Sequence, residues 1–419
     1  MGANSLRVLH ILGGALGSGA GRGALTLHLA LRARGVDSRI LGRVERRTPP
    51  DYHAVRLGGV ARLITSVRTR IYSWRLSRNI VDRGAPYFPI GVGLNPHKHP
   101  LYSWADIIHI QWAHASTMGP EFWEVLAKED RPVVFTLRDM WLFTGGCHFS
   151  SGCSGYLDGC QSCPILKPEA HSVASDDLAR KRRTYTSGMA FIAISKDVAQ
   201  NAQLSTALAK HKIRVISNAI PIDKFAIIDK FIARDTLGLD SSKYVIGIGA
   251  IDLSDPRKGG DIIPRLLEEF SEHSDVEWAV FGGNFSYKND NIRYFGMVKD
   301  YETLNMIYSA ADLFVMPSLH ETFGKTTAEA MAAGTPVVAF ASTPAQEIIE
   351  ESVTGWTVPH NDVESLVTKI RNVMAMDRGK LRAMGVKGRE AVTKRYSPDV
   401  AALEHIKLYC DLLGLADES

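Results

Sequence analysis

Short apolar runs alternate with helical stretches in the first half of the chain, and the alternation starts again after Pro221. Strands separated by helices in this way indicate βαβ units, whose strands lie parallel in one sheet. The runs predicted as strands are Val8–Leu12, Ser38–Leu41, Ile107–Gln111, Val133–Leu137, Phe191–Ile194, Val245–Ile248, Trp278–Phe281, Ile292–Phe295, Leu313–Met316 and Pro336–Phe340. A chain of 419 residues also exceeds the usual size of one hydrophobic core. We therefore predict an α/β protein with two doubly wound domains.

The boundary between the two domains is predicted near residues 217–225, where the strand Arg214–Ser217 runs into a proline. Ligands of open parallel sheets bind outside the carboxyl ends of the strands. Two Rossmann-like domains that face each other would therefore hold the active site in a central cleft. The predicted division is a first domain at 1–217, a second domain at 218–395 and a terminal helix within 396–419.

The composition excludes several classes of protein. With 45% hydrophobic and 22% charged residues, the chain is typical of a globular protein rather than a disordered or fibrous one. The formal net charge of +4 is too small to indicate nucleic acid as a partner. No apolar stretch approaches the roughly 18 residues of a membrane span, and the first apolar run is too short for a signal peptide. We expect a cytoplasmic protein with reduced thiols.

The most informative segment, Ala311–Phe340, has the pattern strand, loop, helix, strand. Gly324 precedes a helix that begins at about Lys325, and Gly334 lies where a helix C-cap is expected. The backbone amides of residues 322–326 then lie at a helix N-terminus, which is a favourable place for a diphosphate. The ammonium group of Lys325 adds positive charge there.

Two glutamates in this segment are candidates for recognition of a nucleotide sugar. Glu329 lies about one turn into the predicted helix, where its carboxylate can accept hydrogen bonds from ribose hydroxyls. Glu321 lies on the preceding loop and can reach the sugar. The alternative is two surface carboxylates on an ordinary βαβ unit. The surrounding glycine, the small residues and the strand that follows favour the ligand site.

The segment resembles the E-x7-E motif of glycosyltransferase family 4, whose members are retaining enzymes of GT-B fold. The resemblance extends to Val215–Phe225, Tyr294–Val298 and Thr354–Val358, so it covers most of residues 215–415. In GT-B enzymes the last helix crosses back to the first domain. The resemblance implies a catalytic role for Glu321 and donor-binding roles for Met297, Val298, Thr322, Phe323, Gly324, Lys325, Thr326 and Glu329.

A glycine-rich turn in the second domain carries two cations, Arg257 and Lys258. In the family an Arg and a Lys on this turn neutralise the donor pyrophosphate, so catalysis requires no metal. This chain keeps the Lys-Gly pair, but Ala250 or Ile251 stands at the usual Arg position, and Arg257 is the candidate substitute. The alternative is a solvated turn after Pro256.

The first domain shows two further features of the family. Gly17 and Gly19 belong to a glycine-rich turn after the first strand, a region that faces the donor phosphate in the family. Pro132–His148 resembles a subgroup from bacterial exopolysaccharide and colanic acid clusters that reads TLHDMWPFTGGCH. Arg138 stands where that subgroup has the histidine that contacts the donor sugar, which leaves the chemistry of this position open. Arg138 and the adjacent Asp139 are the candidate catalytic residues of this domain.

Four of the five cysteines lie within 17 residues, in a loop at 145–165. In a reducing compartment such a cluster favours a metal over disulfides. These cysteines, which would supply the four thiolates of a tetrahedral structural zinc site, are Cys147, Cys153, Cys160 and Cys163. His148 would be a spare ligand. Four reduced cysteines packed in a loop are the alternative.

The segment from Arg43 to Arg78 contains nine arginines, no lysine and two acidic residues. Residues 60–80 have helical periodicity, with arginines on the flanks of one apolar face. That face consists of Val60, Leu63, Ile64, Val67, Ile71 and Trp74, and the flanking residues are Arg68, Arg70 and Arg75. The pattern is typical of a helix that lies on an anionic membrane. An amphipathic helix docked on its own domain has the same pattern.

These features predict a retaining glycosyltransferase that moves a hexose or deoxyhexose from a UDP- or GDP-sugar to a hydroxyl of a glycan acceptor. The resembling subgroup implies a lipid-linked acceptor and bacterial surface polysaccharide synthesis, at the inner face of the membrane. A binding subunit without catalysis and an NAD(P)-dependent enzyme are the alternatives. The latter is disfavoured, because the G-x-G-x-x-G spacing with an acid about 20 residues later is not satisfied.

Overall fold

The computed structural model describes residues 6–45, 48–56, 58–82, 86–112, 118–341 and 343–415, without the side chains of Ala61 and Thr343. Two of the nine arginines counted above, Arg46 and Arg47, lie outside the described residues. The chain divides into two compact units. The first unit consists of residues 1–218 and 401–419, and the second consists of residues 219–400.

Strands and helices alternate along both units. The strands are β1 (Arg7–Leu12), β2 (Asp37–Gly42), β3 (Tyr52–Ala54), β4 (Ile107–Trp112), β5 (Val133–Leu137), β6 (Met189–Ala193), β7 (Ile213–Val215), β8 (Tyr244–Asp252), β9 (Val276–Gly283), β10 (Ile292–Tyr294), β11 (Leu313–Met316), β12 (Val337–Phe340) and β13 (Gly355–Val358). The α-helices are α1 (Gly19–Ala33), α2 (Gly59–Ser77), α3 (Pro100–Trp104), α4 (Pro120–Leu126), α5 (His171–Thr184), α6 (Lys196–Leu204), α7 (Lys230–Leu237), α8 (Ile263–Glu269), α9 (Tyr301–Ala310), α10 (Lys325–Ala332), α11 (Thr343–Ile348), α12 (Val363–Met374), α13 (Arg378–Tyr396) and α14 (Pro398–Leu413).

The sheet of the first unit is parallel, with the strand order β3-β2-β1-β4-β5-β6-β7 among the described residues. Successive residues of β1 point to opposite faces, as the period of a strand requires. Leu9 packs with α4 and α5 on one face, whereas Val8 packs with α1 and α14 on the other. Because both faces are covered, the strands are apolar almost throughout, and this explains why the sequence showed them as continuous apolar runs.

The sheet of the second unit is also parallel, with the order β10-β9-β8-β11-β12-β13 among the described residues. Counted from its own first strand, this is the order 3-2-1-4-5-6, and the first unit has the same order with one more strand at its end. The order reverses between β8 and β11 here and between β1 and β4 in the first unit. Such reversal points are where doubly wound sheets bind ligands at the carboxyl ends of their strands.

The predicted strands are all present, and the α/β fold class with two doubly wound sheets is confirmed. Two details differ from the prediction. The edge strand β3 was missed, because its sequence, Tyr-His-Ala, is not an apolar run. The amphipathic periodicity of Leu25–Arg34 predicts a helix that begins at Leu25. Helix α1 begins six residues earlier, at Gly19, because Ser18 caps it by accepting a hydrogen bond from the backbone N–H of Gly21.

Helix α2 exposes the apolar face that its sequence predicted. The six apolar side chains named above are between 48% and 75% exposed, so they do not dock on the rest of the unit. Two residues on the opposite side hold the helix instead. The Tyr72 hydroxyl donates to the carbonyl oxygens of Pro89 and Ile90, and Leu76 packs against the core. Within the described residues, no helix is long and apolar enough to cross a membrane.

Candidate functional site

The reversal point of the second sheet brings two predicted site residues into contact. Lys258 lies on the loop after β8 and Glu321 on the loop after β11, and these two strands are neighbours in the sheet. Lys258 Nζ donates to Glu321 Oε1 at 2.7 Å. The glutamate side chain is about one tenth exposed and the lysine side chain about one third. A partly buried ion pair therefore lies at the carboxyl end of the sheet.

Backbone geometry fixes the loop that carries Lys258. Asp255 caps a short 3-10 turn, Pro256–Lys258, by accepting from the backbone N–H of Arg257 at 2.9 Å. Gly259 follows with φ of +83°, and a Cβ at this position would lie 2.5 Å from the carbonyl oxygen of Pro317. A larger residue would be strained in this conformation and would push the two loops apart. The Lys-Gly pair thus holds the lysine beside the Glu321 loop.

The guanidinium of Arg257 is directed at its own turn. Nε and Nη2 donate to the Asp255 carboxylate at 3.1 and 2.6 Å. The Arg257 carbonyl oxygen accepts from the backbone N–H groups of Leu319 and His320, at 2.8 and 3.1 Å, and so ties the two loops together. In this structure Arg257 organises the loops, and Lys258 is the cation that meets the predicted catalytic glutamate.

Helix α10 places the second predicted glutamate inside the protein. Gly324 is the N-cap and has no side chain with which to cap the helix, so no side-chain cap competes with an anionic ligand at this N-terminus. Glu329 is only 5% exposed. Its Oε2 accepts from the Tyr308 hydroxyl at 3.3 Å, and its Oε1 lies 3.6 Å from Lys325 Nζ. A buried carboxylate held between a hydroxyl and an ammonium is a directed acceptor rather than a surface charge.

The other predicted donor residues lie on two neighbouring segments. Thr322 and Thr326 are half-buried on either side of Gly324, whereas Phe323 is buried with its ring 5.4 Å from the ring of Tyr396. The second segment follows β10. Met297 is 46% exposed beside Gly283 at the end of β9, and Val298 is half-buried.

In the first unit the predicted catalytic Asp139 is buried and fully engaged. Its Oδ2 accepts from Trp112 Nε1 and from His148 Nδ1, both at 2.6 Å, and its Oδ1 accepts from the backbone N–H of Trp141 at 2.9 Å. Burial alone would raise the pKa of this carboxyl, but the His148 ring and the other donors outweigh burial and lower it. Asp139 therefore stays ionised and orients His148.

Arg138 points away from Asp139 into the polar interior of the first unit. Its Nη1 donates to Asn218 Oδ1 at 2.6 Å, and its Nη2 donates to Gln111 Oε1 at 2.5 Å. Gln111 Nε2 in turn contacts His10 Nδ1 at 2.9 Å. Desolvation by burial lowers the pKa of the Arg138 guanidinium to about 10, so it remains a cation at neutral pH.

The glycine turn of the first unit contains glycines of two kinds. A Cβ on Gly14 would lie 2.2 Å from the ring of Trp112, and a Cβ on Gly21 would lie 2.2 Å from the carbonyl oxygen of Ala15. Gly17 and Gly19, the two predicted donor contacts, are exposed, and a Cβ at either would meet no atom within 4 Å. Packing of the chain therefore does not require glycine at these two positions. Their role in donor binding stays a prediction.

The four loop cysteines lie near one another, with Cys160 and Cys163 buried. Burial first, and then the neighbouring cysteines, raise the pKa of the Cys147 thiol, and burial raises that of Cys160 to about 11. The backbone N–H of Gly155 donates to Cys153 Sγ at 3.4 Å. In the part of the chain that the structure describes, no group of three or more His, Cys, Asp and Glu side chains is arranged to hold a metal ion. The zinc site stays a prediction, and elemental analysis of protein purified without chelator tests it.

Three residues of these sites were not singled out from the sequence. Trp112 holds Asp139, Tyr308 holds Glu329 and Asp255 holds Arg257. For Asp255 a signal was available, because an aspartate directly before a proline and a short turn is a typical cap. Trp112 and Tyr308 reach their partners from other elements of the fold, and spacing along the chain does not reveal such contacts.

Comparisons with known proteins identify relatives of both units of the chain. Two family models match the chain: Glycosyltransferase Family 4 over residues 17–224 and Glycosyl transferases group 1 over residues 244–376. The chain is 29% identical to WcaC of Escherichia coli K12, assigned to colanic acid biosynthesis as a glycosyl transferase. The match covers 64% of this chain and 66% of WcaC, slightly less than two thirds of that relative.

Solved structures are similar over nearly the whole chain. A sucrose-phosphate synthase from Thermosynechococcus elongatus has a TM-score of 0.68 at 19% identity, over 97% of this chain and 100% of the synthase. HepE from Anabaena, in complex with UDP and glucose, has a TM-score of 0.64 at 17% identity, over 97% of this chain and 100% of HepE. At these identities the likeness shows the fold alone.

Two doubly wound sheets and these structural neighbours together define the fold class, which is GT-B. The two family models, one on each unit, make the assignment narrower. The chain is therefore a glycosyltransferase with a Glycosyltransferase Family 4 domain followed by a Glycosyl transferases group 1 domain, which confirms the family resemblance predicted from the sequence.

Proposed function

We propose that the chain transfers a hexose or deoxyhexose from a UDP- or GDP-sugar to a hydroxyl of a glycan acceptor, with retention of anomeric configuration. The observation that carries the proposal is the Lys258–Glu321 ion pair at the reversal point of the second sheet, where nucleotide ligands of such sheets bind. HepE, which shares the fold, was crystallised with UDP and with UDP-glucose, which supports a uridine nucleotide as donor. WcaC supports a role in surface polysaccharide synthesis.

The residues around the ion pair suit a donor with two phosphates. The first-turn amides of α10 and the ammonium groups of Lys258 and Lys325 would take up the charge that develops on the leaving nucleoside diphosphate. Glu329 is buried and directed, which suits two hydrogen bonds from ribose hydroxyls. Glu321, held by Lys258, would orient the sugar. In family 4 the acceptor hydroxyl attacks on the face that the diphosphate leaves, and a phosphate oxygen takes its proton.

In the first unit we assign Asp139 a positioning role. Because its three accepted hydrogen bonds occupy both carboxylate oxygens, it acts through His148, whose ring it orients, rather than on a substrate directly. A carboxylate that accepts from one ring nitrogen of a functional histidine fixes the tautomer of that ring.

Nucleotide binding tests the donor site. Titration calorimetry with UDP and GDP should show that one of them binds the wild type, and that Glu329→Ala weakens binding by about tenfold or more, because hydrogen bonds to a charged acceptor are lost. Glu364→Ala is the matched control, since Glu364 is 88% exposed on α12 of the same unit. If Glu329→Ala and Glu364→Ala bind alike, the site is assigned wrongly.

We further propose that α2 rests on an anionic membrane, where a lipid-linked acceptor would be found. Its exposed apolar face is flanked by the arginines at 62, 68, 70, 75 and 78, all of which are exposed. The segment carries positive charge with few acids, which complements anionic lipid headgroups. A helix docked on its own unit would bury this face, and α2 does not.

Co-sedimentation with vesicles tests the membrane proposal. Wild type should bind vesicles of phosphatidylcholine with phosphatidylglycerol, and bind less in high salt, because salt screens the arginines. The Arg68/Arg70/Arg75→Gln variant should bind at least about tenfold more weakly, since each cation near the surface contributes about 1 kcal/mol. The control removes three exposed charges from α13, Lys380/Arg382/Lys387→Gln. Equal partitioning of both variants would refute the proposal.

A further inference from the structure

Phe88 presents an aromatic ring to solvent from a backbone that is held on both sides. In the described part of the first unit it is one of two exposed Phe, Tyr or Trp side chains, the other being Trp74 on the apolar face of α2, and it is 43% exposed. Its N–H donates to the carbonyl oxygen of Gly146 at 2.8 Å, and its carbonyl oxygen accepts from Trp141 Nε1 at 2.6 Å. An apolar ring left in water forgoes the stabilisation that burial brings, so a partner that covers it gains that stabilisation.

The segment that carries this ring, residues 86–91, lies tightly against the loop that follows β5. Gly146 of that loop has a φ of +123°, and a Cβ at this position would lie 3.1 Å from Cα of Pro89. The N–H of Ile90 donates to Asp177 Oδ1 at 2.9 Å. Because the chain already fixes this backbone, a ligand that binds the exposed ring loses little free energy to ordering it.

The exposed ring borders the predicted catalytic Asp139 and its partner. The ring centroid of Phe88 lies 5.5 Å from that of His148, whose Nδ1 contacts Asp139. The half-buried ring of Trp112 also lies 5.5 Å from this imidazole. Trp112 ends β4, one of the two strands between which the order of the first sheet reverses, and doubly wound sheets bind ligands there. The imidazole itself is buried, so the Phe88 ring is the most exposed member of this cluster.

The same segment joins this cluster to α2, the helix proposed above to rest on an anionic membrane. The Tyr72 hydroxyl on α2 donates to the carbonyl oxygens of Pro89 and Ile90, the two residues that follow Phe88. Tyr72 lies on the side of α2 opposite its exposed apolar face. The ring is therefore on the order of one helix diameter, about 10 Å, from the lipid surface. The first sugars of a lipid-linked glycan span such a distance.

We propose that the Phe88 ring is the surface on which a hexopyranose of the acceptor stacks. The inference rests on the proposed glycosyl transfer and deepens it, because it assigns acceptor recognition to a surface of the first unit alone. The face of an aromatic ring is partially negative and attracts the polarised C–H groups on the apolar face of a pyranose, and both surfaces leave water. A ring without charge or hydrogen-bond donors offers nothing to a phosphate, so the group bound here is the sugar and not the diphosphate of a lipid carrier.

Saturation-transfer NMR with simple glycosides tests this inference. The probes are the methyl pyranosides of glucose, galactose, mannose and fucose, added to the full chain. The wild type should bind at least one of them, with the transfer strongest to the C–H protons on one face of the sugar ring. Phe88→Ala should weaken that binding by about fivefold or more, because the contact with the aromatic face is lost. Phe88→Trp should keep the affinity within about twofold, since an aromatic face remains.

Two further variants separate stacking from packing. Phe88→Leu keeps a large apolar side chain beside His148 but has no aromatic face, so it should lose affinity as Phe88→Ala does. Leu204→Ala is the matched control, because Leu204 is 62% exposed on α6 of the same unit, and it should bind the glycoside as the wild type does. The affinity for UDP or GDP, measured by titration calorimetry on the same preparations, should not change in any of these variants.

The remaining outcomes overturn the inference. A wild type that binds none of the glycosides would refute it, and so would Phe88→Leu if it binds them as the wild type does. Binding of UDP or GDP by the same preparations would leave the proposed function intact in either case. A loss of affinity for nucleotide as well as for glycoside in Phe88→Ala would give Phe88 a structural role instead. If Phe88→Ala does not fold, the comparison of Phe88→Leu with Phe88→Trp decides.

Discussion

The two units share a strand order but hold their polar groups differently. In the second unit each charge of the site lies within 4.0 Å of a group of opposite charge, as Lys258 does with Glu321. In the first unit the polar groups lie in the interior and bond mainly to neutral partners, as Arg138 does. All five histidines that are buried in the described chain belong to the first unit. One fold therefore carries a site of paired charges in one copy and, in the other, a buried network in which the Arg138 cation bonds to neutral side chains.

The difference predicts that acid destabilises the first unit before the second. Burial lowers the pKa of His28 and of His405 to about 4, whereas an unfolded histidine titrates near 6.5. The unfolded chain then binds more protons between these values. The stabilisation is present above pH 6.5 and is lost as the pH falls from 6.5 towards 4. From pH 7 to pH 5 each of the two histidines should remove about 2 kcal/mol of stability.

Hydrogen exchange followed by mass spectrometry separates the two units in this experiment. After correction for the intrinsic exchange rate, peptides from β4 and β5 should lose protection at pH 5, while those from β8 and β9 keep it. His405→Gln should make the stability of the first unit depend less on pH. Equal loss of protection in both units would contradict the predicted difference in their acid stability.

The second test separates the roles of the two glutamates of the second unit in turnover and in donor binding. Glu321→Gln should lower kcat by about 100-fold or more with little change in donor KM, because an interaction that orients the sugar is strongest in the transition state. Glu329→Ala should mainly lower the affinity for the donor. If Glu321→Gln instead loses donor affinity with kcat intact, its carboxylate binds the ground state and the catalytic role is withdrawn.

The smallest effect is expected at the glycine turn of the first unit. Gly17→Ala should change the free energy of unfolding by less than about 0.5 kcal/mol, because the added methyl group meets no protein atom. Donor affinity should nevertheless fall a few-fold if the donor phosphate approaches this turn. Thermal unfolding and UDP-sugar titration of one preparation give both values. Unchanged affinity would remove Gly17 from the donor site.

The arrangement of the candidate site in the second unit was predictable because most of its residues lie close together in the sequence. Glu321, the capping Gly324 and Glu329 lie on one strand–loop–helix segment, whose order in space follows from its order in the chain. Lys258 could be added from the glycine turn, since β8 and β11 are neighbours in a doubly wound sheet. The direction of the Arg257 side chain was not predictable from the sequence, because it depends on whether Asp255 or a ligand is the nearer partner of its guanidinium.

The network of the first unit was not predictable for the opposite reason. It joins His10 on β1, Gln111 on β4 and Arg138 after β5. In the sequence each of these is only a polar residue in or beside an apolar strand, and nothing indicates that they meet. His109 meets Tyr409 across 300 positions of the chain, at 2.6 Å. Contacts of this range arise only when the sheet and its covering helices have assembled.

The discontinuity of the first unit has a consequence for synthesis on the ribosome. Residues 401–419 complete that unit, since Ala402, Leu408 and Tyr409 fill its core. The core of the first 218 residues therefore stays open while the whole of 219–400 is translated, which takes roughly 10–40 s at bacterial and eukaryotic elongation rates. The second unit is continuous and can fold as soon as it emerges. Until α14 emerges, the apolar surface that it later covers is exposed on the nascent N-terminal half. We expect chaperones to bind this protein most strongly at that stage of synthesis.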